Sequence, residues 1–293
     1  MAEHIEIGVI GGSGLYQMAE ITDRTSLTID TPFGRPSADI AVGTLSGKRV
    51  AFLPRHGVGH VLSPSTIPYR ANIYALKSLG VKFIISVNAC GSLREDYAPG
   101  HFVVPDQLYD HTKSARGGHT FFERGLVAHV SVADPFCNQL RHVLIESVAQ
   151  SGGTVHERGT FIIIEGPRFS TRGESEIFRQ WGCIIIGMTS CPEAFLAREA
   201  EIAYATIAHI TDYDVWHTSE DPVTVEKVMA TMRNNLSTVQ QAIVRAVAKL
   251  NTSIESEAHT VLDEAIMVDR SQVPDETLTR LGPIVKRRFA QPS

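Results

Sequence analysis

Short apolar runs, many of them β-branched, alternate with amphipathic segments along most of the chain. Continuous apolar runs bounded by Gly or Pro are typical of strands that are covered on both faces. Seven strands are predicted, over residues 5–10, 50–53, 83–87, 102–104, 160–164, 183–186 and 204–210. Five helices are predicted, over residues 65–79, 135–150, 174–180, 192–199 and 223–250. This alternation predicts an α/β fold.

Composition excludes several classes of protein. The chain has 293 residues, of which 43% are hydrophobic and 20% charged, so it can bury a substantial core. Its net charge of -5 is too acidic for a strong electrostatic footprint on nucleic acid. No apolar run approaches the roughly 20 residues that a membrane-spanning helix needs. We therefore expect no nucleic-acid partner and no membrane span.

The ends of the chain and its cysteines bear on location and organisation. Residues 1–10 contain two glutamates and no basic cluster, and the four cysteines form no CxxC pair. Both features predict a cytoplasmic protein with reduced thiols, without structural zinc or another metal site. No repeat or low-complexity linker divides the chain. We expect one domain over residues 1–250, and an extension over 251–293 that packs on this domain or on a neighbouring subunit.

Two glycine-containing loops follow predicted strands near the start of the chain. In GVIGGSG, backbone N–H groups and the Ser13 hydroxyl could bind an anion, although a simple tight turn is an alternative. A dinucleotide fingerprint is the other alternative, but the glycine spacing is out of register with it. In PRHG, Arg55 and His56 offer donors that suit a dianion such as phosphate, unless the segment is an ordinary surface loop.

Four later strand exits carry polar or aromatic side chains. NACGS could complete an anion cradle through Ala89 N–H, and its Cys90 is better explained as a buried thiol than as a nucleophile. Phe169 and Ser170 in EGPRFST could stack on and bond to a heterocycle, although Phe169 could equally be core. Thr189 could cap the following helix, contact an anion, or do both. Asp212 and Asp214 could line a pocket, hold a metal or be solvated.

Taken together and in order, these loops resemble the methylthioadenosine phosphorylase branch of the trimeric purine nucleoside phosphorylase family. The matching motifs are GGSG, TPFG, RHG, NACGSL, PFC, EGPRFSTR, MTSCPE and TDYDVW. The match spans roughly residues 5–236 and is specific because all motifs keep the family's order. The resemblance implies a mixed central sheet curling toward a barrel, flanked by helices, in a homotrimer with sites near the subunit interfaces.

The resemblance also implies a role for individual residues. Phosphate ligands would be Ser13, Arg55, His56, Ala89 and Thr189. Residues at the ribose and the purine would be Met188, Phe169, Ser170, Asp212 and Asp214. The 5′-methylthio pocket would be formed by His129 of a neighbouring subunit with Val225, Val228 and Met229. Three positions depart from the usual family residues, namely Pro68, Asn88 and His111.

The implied reaction is phosphorolysis of methylthioadenosine to adenine and 5-methylthioribose 1-phosphate, with phosphate as co-substrate and no cofactor. An ionised carboxylate only accepts hydrogen bonds, so Asp212 and Asp214 favour a 6-aminopurine over a 6-oxopurine. Asp212 would act as the general acid at N7 and Asp214 would orient the amino group. The alternatives are a phosphorylase for 6-oxopurine nucleosides or methylthioinosine, a nucleotide-binding regulatory module and a metal-dependent hydrolase.

Overall fold

A large mixed sheet forms the centre of the computed structural model. The structure describes residues 5–12, 14–113, 116–217 and 224–290, without the side chains of Tyr16, Val225 and Lys227. Eleven strands occur in these ranges. They are β1 (Ile7–Gly11), β2 (Thr22–Leu27), β3 (Ile40–Leu45), β4 (Lys48–Pro54), β5 (Phe83–Ser92), β6 (Phe102–Val103), β7 (Gln107–His111), β8 (Val155–His156), β9 (Thr160–Ile164), β10 (Ile185–Gly187) and β11 (Ala203–Asp212).

Helices cover both faces of this sheet. In the described ranges they are α1 (Tyr69–Ser78), α2 (Asn138–Gln150), α3 (Arg172–Gln180), α4 (Ser190–Glu199), α5 (Val225–Lys249), α6 (Leu262–Ala265) and α7 (Asp275–Leu281). One buried cluster joins the sheet to α1, α4 and the C-terminal segment, and a second joins it to α2 and α5. Strand β5 contributes Ile84 to the first cluster and Ile85 to the second, because successive side chains point to opposite faces.

The centre of the sheet explains where polar side chains converge. Strand β5 runs parallel to β1 on one side and to β11 on the other. Strands β9 and β10 are parallel to each other, and β10 is antiparallel to β5, with Ile186 opposite Gly91. The segment after β10 therefore returns along the second half of β5. Loops from both groups of strands meet beside residues 86–92.

The predicted α/β class is confirmed, and so are the seven predicted strands and five predicted helices. Strand pairing follows the order β2-β3-β4-β1-β5-β10-β9-β7, with β11, β6 and β8 branching from β5, so the sheet stays open. The first helix begins at Tyr69 instead of residue 65, with Pro68 as its N-cap. Strands β2, β3, β7 and β8 were not predicted from the sequence.

The C-terminal segment packs against the same face as α1 and α4. Its side chains Leu262, Ile266, Leu281 and Ile284 are buried in that cluster. No helix within the described ranges is long and apolar enough to cross a lipid bilayer.

Candidate active site

Arg55 lies buried at the end of β4 and is held by an acid from α4. Its Nε and Nη2 donate to the two carboxylate oxygens of Glu193 at 2.7 and 2.8 Å. Nη2 also donates to Ser86 Oγ at 2.6 Å, and Nη1 donates to Val87 O at 2.9 Å. Burial by itself lowers the pKa of Arg55, but the charge and hydrogen bonds of Glu193 outweigh it and raise the pKa. The guanidinium is thus a fixed cation whose orientation is set by Glu193.

His56 follows directly and is neutral at physiological pH. Burial, together with the nearby charges of Arg55 and His60, lowers its pKa to about 4, although the backbone bond to Leu62 acts in the opposite direction. Because a carbonyl only accepts, Nδ1 is the nitrogen that donates to Leu62 O, at 2.8 Å. The ring stacks on His60 with 4.1 Å between centroids. Nε2 therefore carries no proton and can only accept a hydrogen bond from a ligand.

Asn88 connects the end of β5 to the loop after β10. Its Oδ1 accepts from Thr189 Oγ1 at 2.7 Å, and its Nδ2 donates to Ser86 Oγ at 3.0 Å. Thr189 occupies the N-cap position of α4, but its hydroxyl makes no capping bond, so the predicted capping role is wrong. Through Ser86, the side chains of Arg55, Asn88 and Thr189 form one buried network.

Of the two remaining predicted anion ligands, Ala89 and Ser13, the structure describes only Ala89. Ala89 is part of β5 and pairs with His209 of β11. It is half-buried, next to Asn88. Ser13 lies outside the described residues.

Asp212 and Asp214 are brought together at the end of β11. Asp212 accepts from the backbone N–H of Asp214 at 2.8 Å and from Thr211 Oγ1 at 2.6 Å. Asp214 has a φ of 51°, in the left-handed region that non-glycine residues seldom occupy. Both carboxylates are buried. The turn that follows is held by Trp216, whose Nε1 donates to Ser92 O at 2.8 Å.

Burial raises the pKa of Asp214 to about 6, and the neighbouring charge of Asp212 raises it too. The hydroxyls of Ser170 and Ser175 lie close enough to lower this pKa, but neither completes a hydrogen bond of ordinary geometry. Asp214 Oδ2 and the Ser170 hydroxyl are therefore buried polar atoms with unused hydrogen-bonding capacity. Such atoms are typical of a surface prepared for a ligand.

Gly91 allows the two acids to approach β5. A Cβ at this position would lie 3.0 Å from Asp212 Oδ1 and 3.2 Å from Asp214 Cβ. Any larger residue here would displace the carboxylates.

The loop after β9 is fixed by its own charged residues. Thr171 and Glu174 form a capping box at the start of α3. Arg168 donates to both carboxylate oxygens of Glu174 at 2.7 and 2.6 Å, and these bonds lower the pKa of Glu174 to about 2. Phe169 remains 37% exposed, so the alternative of a core residue is wrong. Its ring is free to meet a ligand.

Met188 joins this loop to the loop after β10. Its Sδ would lie only 2.6 Å from a Cβ placed on Gly166, so the two loops are in close contact. Met188 also packs against the buried cluster that contains Ile164 and Ile186. The loop that carries Met188 is thus in contact with the loop that carries Phe169 and Ser170.

Helix α5 reaches the same end of the sheet. Thr231 Oγ1 donates to Thr211 O at 3.2 Å, and Leu236 contacts the backbone of Gly14. Val228 lies one turn before Thr231 and is half-buried, while Met229 is 44% exposed. The side chain of Val225 is outside the described part of the chain.

His129 lies on a different part of the surface. It is exposed, and its N–H donates to Ala265 O of the C-terminal segment at 3.0 Å. No described contact joins it to Asp212, Asp214 or Arg55 of the same chain.

Comparison with known proteins identifies the family. Residues 6–248 match the model of the phosphorylase superfamily. This chain belongs to the phosphorylase superfamily. The resemblance found in the motifs is thereby confirmed, and the chain is an enzyme of this superfamily.

Individual relatives of this phosphorylase-superfamily chain are similar over nearly its whole length. It is 52% identical to the S-methyl-5'-thioadenosine phosphorylase of Chloroflexus aurantiacus, over 97% of this chain and 98% of that protein. A methylthioadenosine phosphorylase from an antarctic soil metagenomic library has a TM-score of 0.92 and 48% identity, covering 96% and 99% of the two chains. The methylthioadenosine phosphorylase of Schistosoma mansoni, solved with adenine, has a TM-score of 0.79 and 38% identity, covering 83% and 91%.

The sequence of this phosphorylase-superfamily chain also suggested a nucleophilic thiol and a metal site. Burial raises the pKa of Cys90 well above its ordinary value, and the charge of Asp212 adds to this, so the thiol is inert. In the part of the chain that the structure describes, no three His, Cys, Asp or Glu residues are grouped to hold a metal ion.

Sequence reasoning missed the residues behind the predicted ligands. Glu193 is fully buried against Arg55, Ser86 and Tyr204, with Tyr204 OH donating to it at 2.8 Å. Its position after Pro192 at the start of a predicted helix gave no sign of burial. Arg116 was also missed, because a glycine-rich neighbourhood favours the interpretation of a solvated loop.

Proposed function

We propose that this protein catalyses phosphorolysis of S-methyl-5'-thioadenosine to adenine and 5-methylthioribose 1-phosphate. The observation that carries the proposal is the pair of buried acids, Asp212 and Asp214, beside Ser170 and one strand away from the network of Arg55 and Thr189. Acids at the base-binding end and N–H and O–H donors at the anion-binding end suit a nucleoside and phosphate. The names of the relatives support the same substrate.

The purine end selects the leaving group. Asp214 Oδ2 has no described partner and accepts a hydrogen bond when ionised, which matches a 6-amino group. A 6-oxo group would present an acceptor to an acceptor. The alternative, a phosphorylase for 6-oxopurine nucleosides, is therefore not favoured. Phe169 offers its exposed ring for stacking on the base.

The anion end supplies the nucleophile. We assign phosphate to Arg55, Ser13, Thr189 and the N–H of Ala89 as donors, and to His56, whose unprotonated Nε2 accepts from the hydroxyl of a monoprotonated phosphate. Held there, a phosphate oxygen attacks the anomeric carbon while the glycosidic bond breaks, with inversion, and Met188 lies under the ribose. The anion also stabilises the positive charge that develops on the sugar. Phosphate is a co-substrate, and the reaction needs no other cofactor.

The departing adenine must gain a proton at N7. We assign its delivery to Asp212, which Thr211 and the backbone of Asp214 hold in one orientation. These hydrogen bonds favour the ionised form. The proton that the carboxyl delivers is therefore taken up from solvent when the purine binds, and it passes to N7 as the glycosidic bond breaks.

The proposed assembly is a homotrimer in the cytoplasm. His129 is exposed and has no described contact with the site of its own chain, which fits a role in the 5′ pocket of a neighbour, opposite Val225, Val228 and Met229. The four cysteines are buried free thiols, as expected in a reducing compartment.

Incubation of methylthioadenosine with and without phosphate tests the function. We expect free adenine and a pentose 1-phosphate only when phosphate is present. Adenine release without phosphate would indicate a hydrolase, and release of hypoxanthine from methylthioinosine at a comparable rate would support the 6-oxopurine alternative.

A further inference from the structure

Arg116 is a buried cation that contacts mainly backbone. It follows β7, is 2% exposed and has a φ of 43°. Its Nε lies 3.5 Å from a carboxylate oxygen of Glu165, outside good hydrogen-bond geometry. Its two terminal nitrogens are bonded to carbonyls of two separate loops.

The first end of the guanidinium holds the loop after β10. Nη1 donates to Met188 O at 2.7 Å and to Cys191 O at 2.9 Å. These carbonyls lie on either side of Thr189, the proposed phosphate ligand. Arg116 therefore fixes the turn from which the Thr189 hydroxyl projects.

The second end holds the loop after β9. Nη2 donates to Ile164 O at 2.9 Å and to Glu165 O at 2.7 Å. Phe169 and Ser170, the proposed purine-side residues, follow on this loop. Since a guanidinium is planar and rigid, the two pairs of carbonyls are held at a fixed separation.

We propose that Arg116 is a positioning residue that sets the phosphate-binding loop and the purine-binding loop at the spacing needed for attack. The inference rests on the proposed function and deepens it. Lysine cannot reproduce the arrangement, because one ammonium group with three donors cannot reach four carbonyls at opposite ends of a fork.

The chain offers a matched control in Arg141. This arginine is 7% exposed and also binds carbonyls, with Nε donating to Pro105 O at 2.8 Å and Nη2 donating to Glu157 O. Its remaining partners include Asn138 Oδ1. None of these residues belongs to the proposed site. Arg141→Lys therefore reproduces the loss of a buried guanidinium without displacing the ligand loops.

The experiment compares Arg116→Lys and Arg141→Lys with the wild type in melting temperature and in steady-state kinetics. We expect both substitutions to lower the melting temperature. Only Arg116→Lys should lower kcat/KM for methylthioadenosine, by about 100-fold, because misplacement of reacting groups by about 1 Å has effects of that size. The KM values for nucleoside and phosphate should both rise in Arg116→Lys. A kcat/KM within about twofold of wild type would overturn the inference, as would an equal loss in Arg141→Lys.

Two further measurements keep the test decisive. If Arg116→Lys does not fold, Arg116→Gln replaces it, because its amide can donate to the carbonyls at one end of the fork but not at both; a kcat/KM for methylthioadenosine within about twofold of that of Arg141→Gln would overturn the inference. If the wild type does not turn over methylthioadenosine, the proposed function fails, and Arg116 is judged on phosphate binding by calorimetry. An unchanged Kd for phosphate in a folded Arg116→Lys or Arg116→Gln protein would then overturn the inference.

Discussion

Individual side chains at the end of β11 divide the work of recognising the purine. Asp214 is buried and retains an oxygen without a described partner, whereas both oxygens of Asp212 accept hydrogen bonds. Two acids separated by a single residue therefore differ in what they offer a ligand. This difference leads to separate predictions for each.

Asp214 should control the acid side of the pH profile. With its pKa raised to about 6, the carboxyl becomes protonated as the pH falls through 6 and loses its capacity to accept from the 6-amino group. We expect kcat/KM for methylthioadenosine to fall below about pH 6, measured at saturating phosphate so that titration of phosphate does not contribute.

The matched variant is Asp214→Asn, which keeps the volume but does not titrate. Its lower kcat/KM should lack this acid limb, and its preference for methylthioadenosine over methylthioinosine should shrink at least tenfold, because the amide can donate to a 6-oxo group. An acid limb of the same midpoint in Asp214→Asn would contradict the assignment.

The effect of substituting Asp212 on kcat should depend on whether the leaving purine needs a proton. We expect Asp212→Ala to lower kcat for methylthioadenosine by about 100-fold or more, since general acid catalysis contributes roughly 10²–10⁴-fold. For the 7-methylated nucleoside, whose purine already carries a positive charge, the substitution should lower kcat much less. Near-normal turnover of methylthioadenosine by Asp212→Ala at saturating substrate would remove the general-acid role.

At the scale of elements, the buried strands could be predicted from the sequence, whereas exposed or very short strands could not. The runs that became β1 and β11 are buried along their whole length, and β5 is buried at nine of its ten residues, so their composition alone marks them as strands. Strand β2 has the sequence TDRTSL and is exposed at five of its six residues, so it carries no apolar signal. Strand β8 has only two residues. Such edges exist because a neighbour pairs with them, which local sequence does not encode.

The candidate site shows the same limit. Ligand residues such as Arg55 and Asp214 follow recognisable strands, and their motifs are specific. The residues that orient them, Glu193 and Arg116, could not be predicted from the sequence, because their burial depends on loops that are distant in sequence. A charged residue is expected to be exposed to solvent unless the residue that pairs with it is known.

The C-terminal segment is held to the domain by a charged contact that can be measured. Arg287 donates from Nε and Nη2 to Glu201 at 2.8 and 2.5 Å and also contacts Asp263. The Glu201 side chain is 1% exposed, whereas that of Arg287 is 42% exposed. Since Arg287→Ala leaves a buried carboxylate that water can only partly reach, we expect the free energy of unfolding to fall by about 1–2 kcal/mol.

Urea denaturation measures this change, and Arg35→Ala is the control. Arg35 and Asp30 are 3.5 Å apart with both side chains more than four-fifths exposed, so breaking this pair should change stability by roughly 0–0.5 kcal/mol. Equal effects of the two substitutions would show that Glu201 does not depend on Arg287.

At the scale of the whole molecule, the proposed trimer divides each site between subunits. If His129 serves a neighbour, a subunit with Asp214→Asn and a subunit with His129→Ala carry defects in different halves of the site. Mixed trimers then contain some sites in which both halves are wild type. Refolding the two variants together should restore activity above the sum of the separate proteins, checked by assay across mixing ratios. No gain in any mixture known to contain mixed trimers would place His129 outside the neighbour's site.

Strand β5 has one more consequence. Asn88, on the anion side, and Gly91, against the two acids, are three residues apart on one continuous extended backbone, a distance of about 10 Å. Pairing with β11 over residues 88–91 keeps that backbone from stretching. The strand therefore fixes the distance between the anion side and the acid side of the site, and a ligand must match this distance at its two ends. Changes in the outer loops can alter the groups beside the strand but not this distance.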